Sequence, residues 1–226
     1  IISGGIISSG LFYWWDVMLK IISLFSLLIA PVACLAISVG EITSFISPNE
    51  TILTKEIANT TNVARFIGLK VERISTPLEG GIVIPMDTKD EVLSAPASLV
   101  LPGGAKEFFK IVYQGPQDDQ ERYYRLSWLD APISEFSPEN QPKGAQALTS
   151  ARIDTILVVS PRKEVFKYEN SGDEIKNLGN ATFRVISVGK CKIPENDKDG
   201  EGCRERYYEM PDKAVPVYYT HLRAHE

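Results

Sequence analysis

Beyond residue 36 this chain keeps no sustained 3.6-residue apolar period. Short apolar segments recur instead at near-regular spacing, and each is ended by turn chemistry. "ISVGEITSFI", "TILTKEIA", "RFIGLKVERI", "GIVIP", "SLVLP", "EFFKIVYQG" and "RYYRLSWLD" are separated by Ser47-Pro48-Asn49, Asn59-Thr60-Thr61-Asn62, Glu79-Gly80-Gly81, Pro102-Gly103-Gly104 and Gly115-Pro116. Such strands with Gly and Pro between them predict an all-β sandwich. Within "RFIGLKVERI" the apolar positions Phe66, Leu69, Val71 and Ile74 slip by one residue, which predicts a bulge at Gly68. After Pro161 the pattern restarts. "EVFKYENSGDEIKNLG" predicts a hairpin turning at Ser171-Gly172-Asp173, and "TFRVISVGKC" and "ERYYEMP" follow it. The chain thus divides into a first domain over 37–160 and a smaller β domain over 161–217, with the hinge inside "VVSPRKEV".

The ends have a different character. From Met18 the sequence reads "MLKIISLFSLLIAPVACLA", with Lys20 ahead of an apolar run and small residues at Ala33, Cys34 and Ala36. This is the layout of a secretory signal peptide over 18–36, cleaved after Ala36. The run is too short to serve comfortably as a membrane anchor. A lipoprotein site at Cys34 fits less well, because Pro31 stands where an aliphatic residue is expected. Residues 1–17 precede the start codon that Met18 offers and read as upstream translation. Residues 218–226 read as the translation of a sequencing adapter, which would leave the second domain truncated and place His221 and His225, the only histidines, in a non-native tail.

Composition excludes several classes of function. The net charge is −5, and no basic patch suits nucleic acid or a membrane surface. Once a signal peptide is removed, Cys191 and Cys203 remain, and two cysteines in an exported chain read as one disulfide. The loop between them, "KIPENDKDGEG", imitates the start of an EF-hand, but Arg206 stands at its twelfth position in place of Glu. No metal and no cofactor is therefore expected. Ser160 and Lys163 match S-x-x-K at a strand end, without the partner motifs an acyl-enzyme needs.

One run stands apart. "ALTSARIDTILVVSPRK", residues 147–163, is longer than an ordinary strand. Its first half mixes small and polar residues, its second half is solidly apolar from Ile156 to Val159, and Pro161 ends it. One strand with two such halves has to serve two environments.

"ISVGEITSF", "PASLVLPGGAKEFFKIVYQGPQDDQERYYRLSW", "ARIDTILVVSPR" and "NLGNATFRVISVGKC" with "YYEMP" resemble, in the same order, the periplasmic pilus chaperones of the chaperone–usher pathway, most of all those of common-pilus type. The resemblance implies two immunoglobulin-like sandwiches joined at an angle, no enzymatic activity, and a periplasmic location. It implies pilus subunits and an outer-membrane usher as partners. Subunits are held by donor-strand complementation, in which the first half of the long strand pairs with a subunit that lacks one strand. A structural pilus subunit or adhesin of the same system is the alternative, although such a protein carries a single incomplete sandwich.

Alternation places Ala147, Ala151 and Ile153 on the donated face of that strand. The family anchors the subunit's terminal carboxylate with basic residues in the cleft. Here "GEITSFI" holds none, and Ile156 occupies the other usual place. Lys55, Arg65 and Arg152 are the candidates that remain. Glu121 and Arg162 match positions that form a salt bridge between the domains in relatives.

Overall fold

The alternating segments fold as strands, and the described residues contain no helix. The computed structural model describes residues 37–133, 150–172, 174–189, 202–216 and 221–225. The first domain runs β1 (Ile37–Ser38), β2 (Thr43–Ile46), β3 (Ile52–Asn59), β4 (Arg65–Ile74), β5 (Val92–Ala95), β6 (Ser98–Leu101), β7 (Lys106–Tyr113), β8 (Arg122–Pro132) and β9 (Ala151–Val159). One sheet has the order β1-β3-β7-β5 and the other β2-β9-β8-β4-β6. This is the two-sheet arrangement of an immunoglobulin-like sandwich.

"ISVGEITSFI" is not one strand. β1 pairs with β3 in the first sheet, and β2 pairs with β9 in the second. The chain crosses between sheets at Val39–Ile42, where Gly40 takes a φ of 68° that a side chain would strain. β5 and β6 divide between the sheets in the same way. The expected bulge at Gly68 is absent, because the β4–β8 register runs unbroken from Arg65↔Pro132 to Ile74↔Tyr123. The apparent slip is a change of face: Ile67, Leu69 and Val71 pack into the core, and Phe66 lies exposed on the other side. "GIVIP" forms only an isolated bridge from Val83 to Ile74, since Ile82 and Val83 are exposed and no buried face holds a ladder.

Tyr124, Leu126 and Trp128 alternate along β8 into the core. Trp128 meets Phe109 edge-on at 5.2 Å and donates its indole N–H to Thr155 Oγ1 at 3.0 Å. Each such burial stabilises by about 1.5–3 kcal/mol.

The second domain contains β10 (Tyr168–Asn170), β11 (Glu174–Asn177), β12 (Phe183–Gly189), β13 (Cys203–Glu209), β14 (Ala214–Pro216) and β15 (His221–His225). β10 and β11 form the expected hairpin, with Tyr168 opposite Asn177. The sheets are β10-β11-β14 and β13-β12-β15, around Ile175, Phe183 and Val185. β15 lies in the segment read as a tail and pairs with β12. Cys203 is disulfide-bonded. Cys191 and the acidic loop lie outside the described residues.

Candidate functional site

The two halves of β9 have different neighbours. β8 pairs with its whole length, from Arg122↔Val159 to Asp130↔Ala151. β2 runs parallel on the other side and pairs only with Ile156–Val159. The far half, Ala151–Thr155, is a one-sided edge among the described residues. Ile156 N–H donates to Ile42 O at 2.7 Å and Ser160 N–H to Ile46 O at 3.0 Å, so even-numbered residues aim their backbone groups toward the β2 side. By the two-residue repeat of a strand, Ser150, Arg152 and Asp154 present theirs to the open edge. The side chains follow the opposite rule. Ala151 and Ile153 are half-buried, and Ile153 packs against the core, while Arg152 and Asp154 are exposed. Ala147 lies outside the described residues.

The three candidate cations do not converge. Lys55, on β3, is 6 % exposed and sits beneath the crossover between β1 and β2. Its ammonium donates to Glu41 O at 2.7 Å and to Ser44 Oγ at 2.9 Å. Burial lowers its pKa from the ordinary lysine value. It lines a pocket of about 540 Å³ together with Gly40, Glu41, Ser44 and Phe45. Arg65 donates instead to the buried carboxylate of Asp130. Arg152 is tied to Asp154 at 2.9 Å and to Ser127 Oγ at 2.9 Å. It borders a separate, mostly apolar pocket with Phe66, Gly68 and Leu129 on the outer face of the five-stranded sheet.

Glu121 and Arg162 are not paired with each other. The Glu121 carboxylate accepts from Thr182 N–H at 2.6 Å, from Thr182 Oγ1 at 2.5 Å and from Tyr123 Oη at 2.5 Å. It does join the domains, through a hydroxyl and an amide rather than a cation. Burial raises its pKa against the pull of these hydrogen bonds. Arg162 donates to the carbonyls of Pro48 and Glu50. Asn180 Nδ2 reaches Asp119 O at 3.0 Å, and Phe45 packs on Tyr208 of β13 with ring centroids 5.3 Å apart. Thr182, Ser44, Phe45 and Tyr208 carry no local sequence signal of these roles.

A match to the family "EcpB C-terminal domain" covers residues 166–226. The "Probable fimbrial chaperone EcpB" of Klebsiella pneumoniae subsp. pneumoniae is 45% identical over 179 residues, 79% of this chain and 79% of that one. The protein of the same name from Escherichia coli O18:K1:H7 is 43% identical over 187 residues, 83% and 82% of the two chains. The chain belongs to the EcpB family of fimbrial chaperones. The EcpB fold extends to solved structures of low identity. A class 5 fimbriae chaperone, CfaA, superposes with a TM-score of 0.53 at 12% identity, covering 84% of this chain and 92% of that one. The Salmonella enterica SafA pilin in complex with the SafB chaperone gives 0.50 at 14% identity, with 82% and 86% covered. Both likenesses are of fold.

Proposed function

We propose that the first half of β9 completes the sheet of a pilus subunit that lacks a strand, holds it in the periplasm, and yields it to an outer-membrane usher. The observation that carries this reading is the cover of β9: β2 satisfies Ile156–Val159 and stops, so among the described residues the backbone from Ala151 to Asp154 is paired on one side only. An exposed edge is normally a hazard that proteins blunt. Here it is the working surface, with the half-buried Ala151 and Ile153 beside it.

Lys55 is the best placed of the basic candidates to meet the subunit's terminal carboxylate. An ammonium has three N–H donors. Two are held by Glu41 O and Ser44 Oγ, and the pocket beside them is open to an anion. Export would follow from the signal peptide ending at Ala36, with no enzymatic step in the cycle. Periplasmic co-expression with candidate pilins tests the reading: the wild-type chain should co-purify its subunit, and Ser150→Pro should not. Normal capture by a folded Ser150→Pro variant would overturn it.

A further inference from the structure

We infer that the second domain contributes a carboxylate-binding arginine to the subunit-binding cleft, Arg184 braced on Tyr208. This rests on the chaperone reading above and assigns part of the capture to the second domain.

Arg184 and Tyr208 are cross-strand partners on β12 and β13. The Arg184 guanidinium carbon lies 5.3 Å from the centre of the Tyr208 ring, and its Nη2 donates to Tyr208 Oη at 2.7 Å. The exposed side chain is thereby held in one orientation before any ligand arrives. Holding a long side chain in advance reduces the ordering cost of binding.

The location follows from the other contact of Tyr208. Its ring packs on Phe45 of β2 at 5.3 Å, and Phe45 lines the pocket that contains Lys55. Tyr208 therefore stands where the domains meet, beside the strand that ends the open edge, with Arg184 as its cross-strand neighbour.

Charge identifies the ligand class. Arg65, Arg73, Arg122 and Arg152 each meet a carboxylate, and Arg162 meets backbone carbonyls. Arg184 meets a neutral phenol, and among the described residues no acid pairs with it. Of the five N–H donors of a guanidinium, one is used among the described residues. A braced, uncompensated guanidinium suits a carboxylate, which it can grip with two parallel hydrogen bonds.

The probe is a pilin that the wild-type chain co-purifies from periplasm. Arg184→Gln should lower the co-purified subunit roughly fivefold and flatten its loss with added NaCl, while the chaperone's own melting temperature stays unchanged. Arg184→Lys should recover part of the loss. Tyr208→Phe, which keeps the ring and removes the hydroxyl, should weaken capture to a lesser degree. Replacing the pilin's acidic residues one at a time by Asn or Gln identifies the carboxylate: the residue whose replacement weakens capture by the wild-type chain but not by Arg184→Gln supplies it, and the absence of any such residue counts against the inference. Wild-type capture and salt dependence by Arg184→Gln overturn the inference. Ser150→Pro, run alongside, separates the two readings, since its normal capture would count against the edge and not against Arg184.

Discussion

Glu209 ends β13 opposite Phe183 and is 1 % exposed, and among the described residues neither of its carboxylate oxygens has a hydrogen-bond partner. Burial, with a smaller push from Glu174, raises its pKa to about 7. In the unfolded chain it returns to about 4.3. The folded state therefore holds the proton more tightly. The stability this group contributes is fully present below about pH 4 and is lost as pH rises through 7, a swing of order 3 kcal/mol. Glu209→Gln should raise the melting temperature at pH 8 and change it little at pH 4, as calorimetry across that range would read. Lys55 is a buried cation whose contacts only partly offset its burial, which lowers its pKa from the ordinary lysine value. Lys55→Met should cost about 1–3 kcal/mol by leaving Glu41 O and Ser44 Oγ unmet, and should weaken subunit capture by about 2–5 kcal/mol if the carboxylate seats there. Ser44→Ala removes one of those contacts and keeps the cation, so it should lower stability in thermal melts while capture persists.

Among the elements, β9 gives the sharpest test, because alternate residues face different strands. Ser150→Pro removes an N–H that points to the open edge, whereas Ala151→Pro removes one that points to β8. The first should leave melting nearly unchanged and abolish capture. The second should lower stability by about 3 kcal/mol or more. Equal melting of the two variants would refute the parity assigned here. The two-part nature of this strand was legible in the sequence, because the apolar block at 156–159 differs from the small and polar residues ahead of it. The crossover at Gly40 was not, since "ISVGEITSFI" alternates evenly and the switch of sheets depends on partners distant in the chain. Phe66 misled for the same reason: an apolar residue on the outer face mimics a bulge when only one face is assumed to be apolar. Both domains share a device that alternation alone does not announce. Asn59 and Asn177 end their strands fully buried, each donating to carbonyls and accepting a backbone N–H two residues on.

At the scale of the whole molecule, the described residues join the domains through specific contacts, Glu121 with Thr182, Asn180 with Asp119 and Phe45 with Tyr208. Thr182→Val would leave the buried Glu121 with one hydrogen bond fewer and cost about 1–3 kcal/mol. Small-angle scattering should show a wider spread of interdomain arrangements for this variant. Arg162→Met should show none, because among the described residues that side chain holds the Pro48–Glu50 turn and not the second domain. The two sandwiches could be read from strand spacing. The partners of Arg65, Arg152 and Glu121 could not, because Asp130, Ser127 and Thr182 lie far from them in sequence. The placement of β2 has a last consequence. An ordinary sheet edge lets an incoming strand slide by two residues and still satisfy its ladder. β2 already occupies the ladder from Ile156 onward, so under the proposed function an incoming strand would meet a fixed buffer stop at Ile42–Thr43, beside the Lys55 pocket. The edge would then have an origin from which a guest's length is measured: a strand that overran it would collide, and one that fell short would leave backbone unpaired.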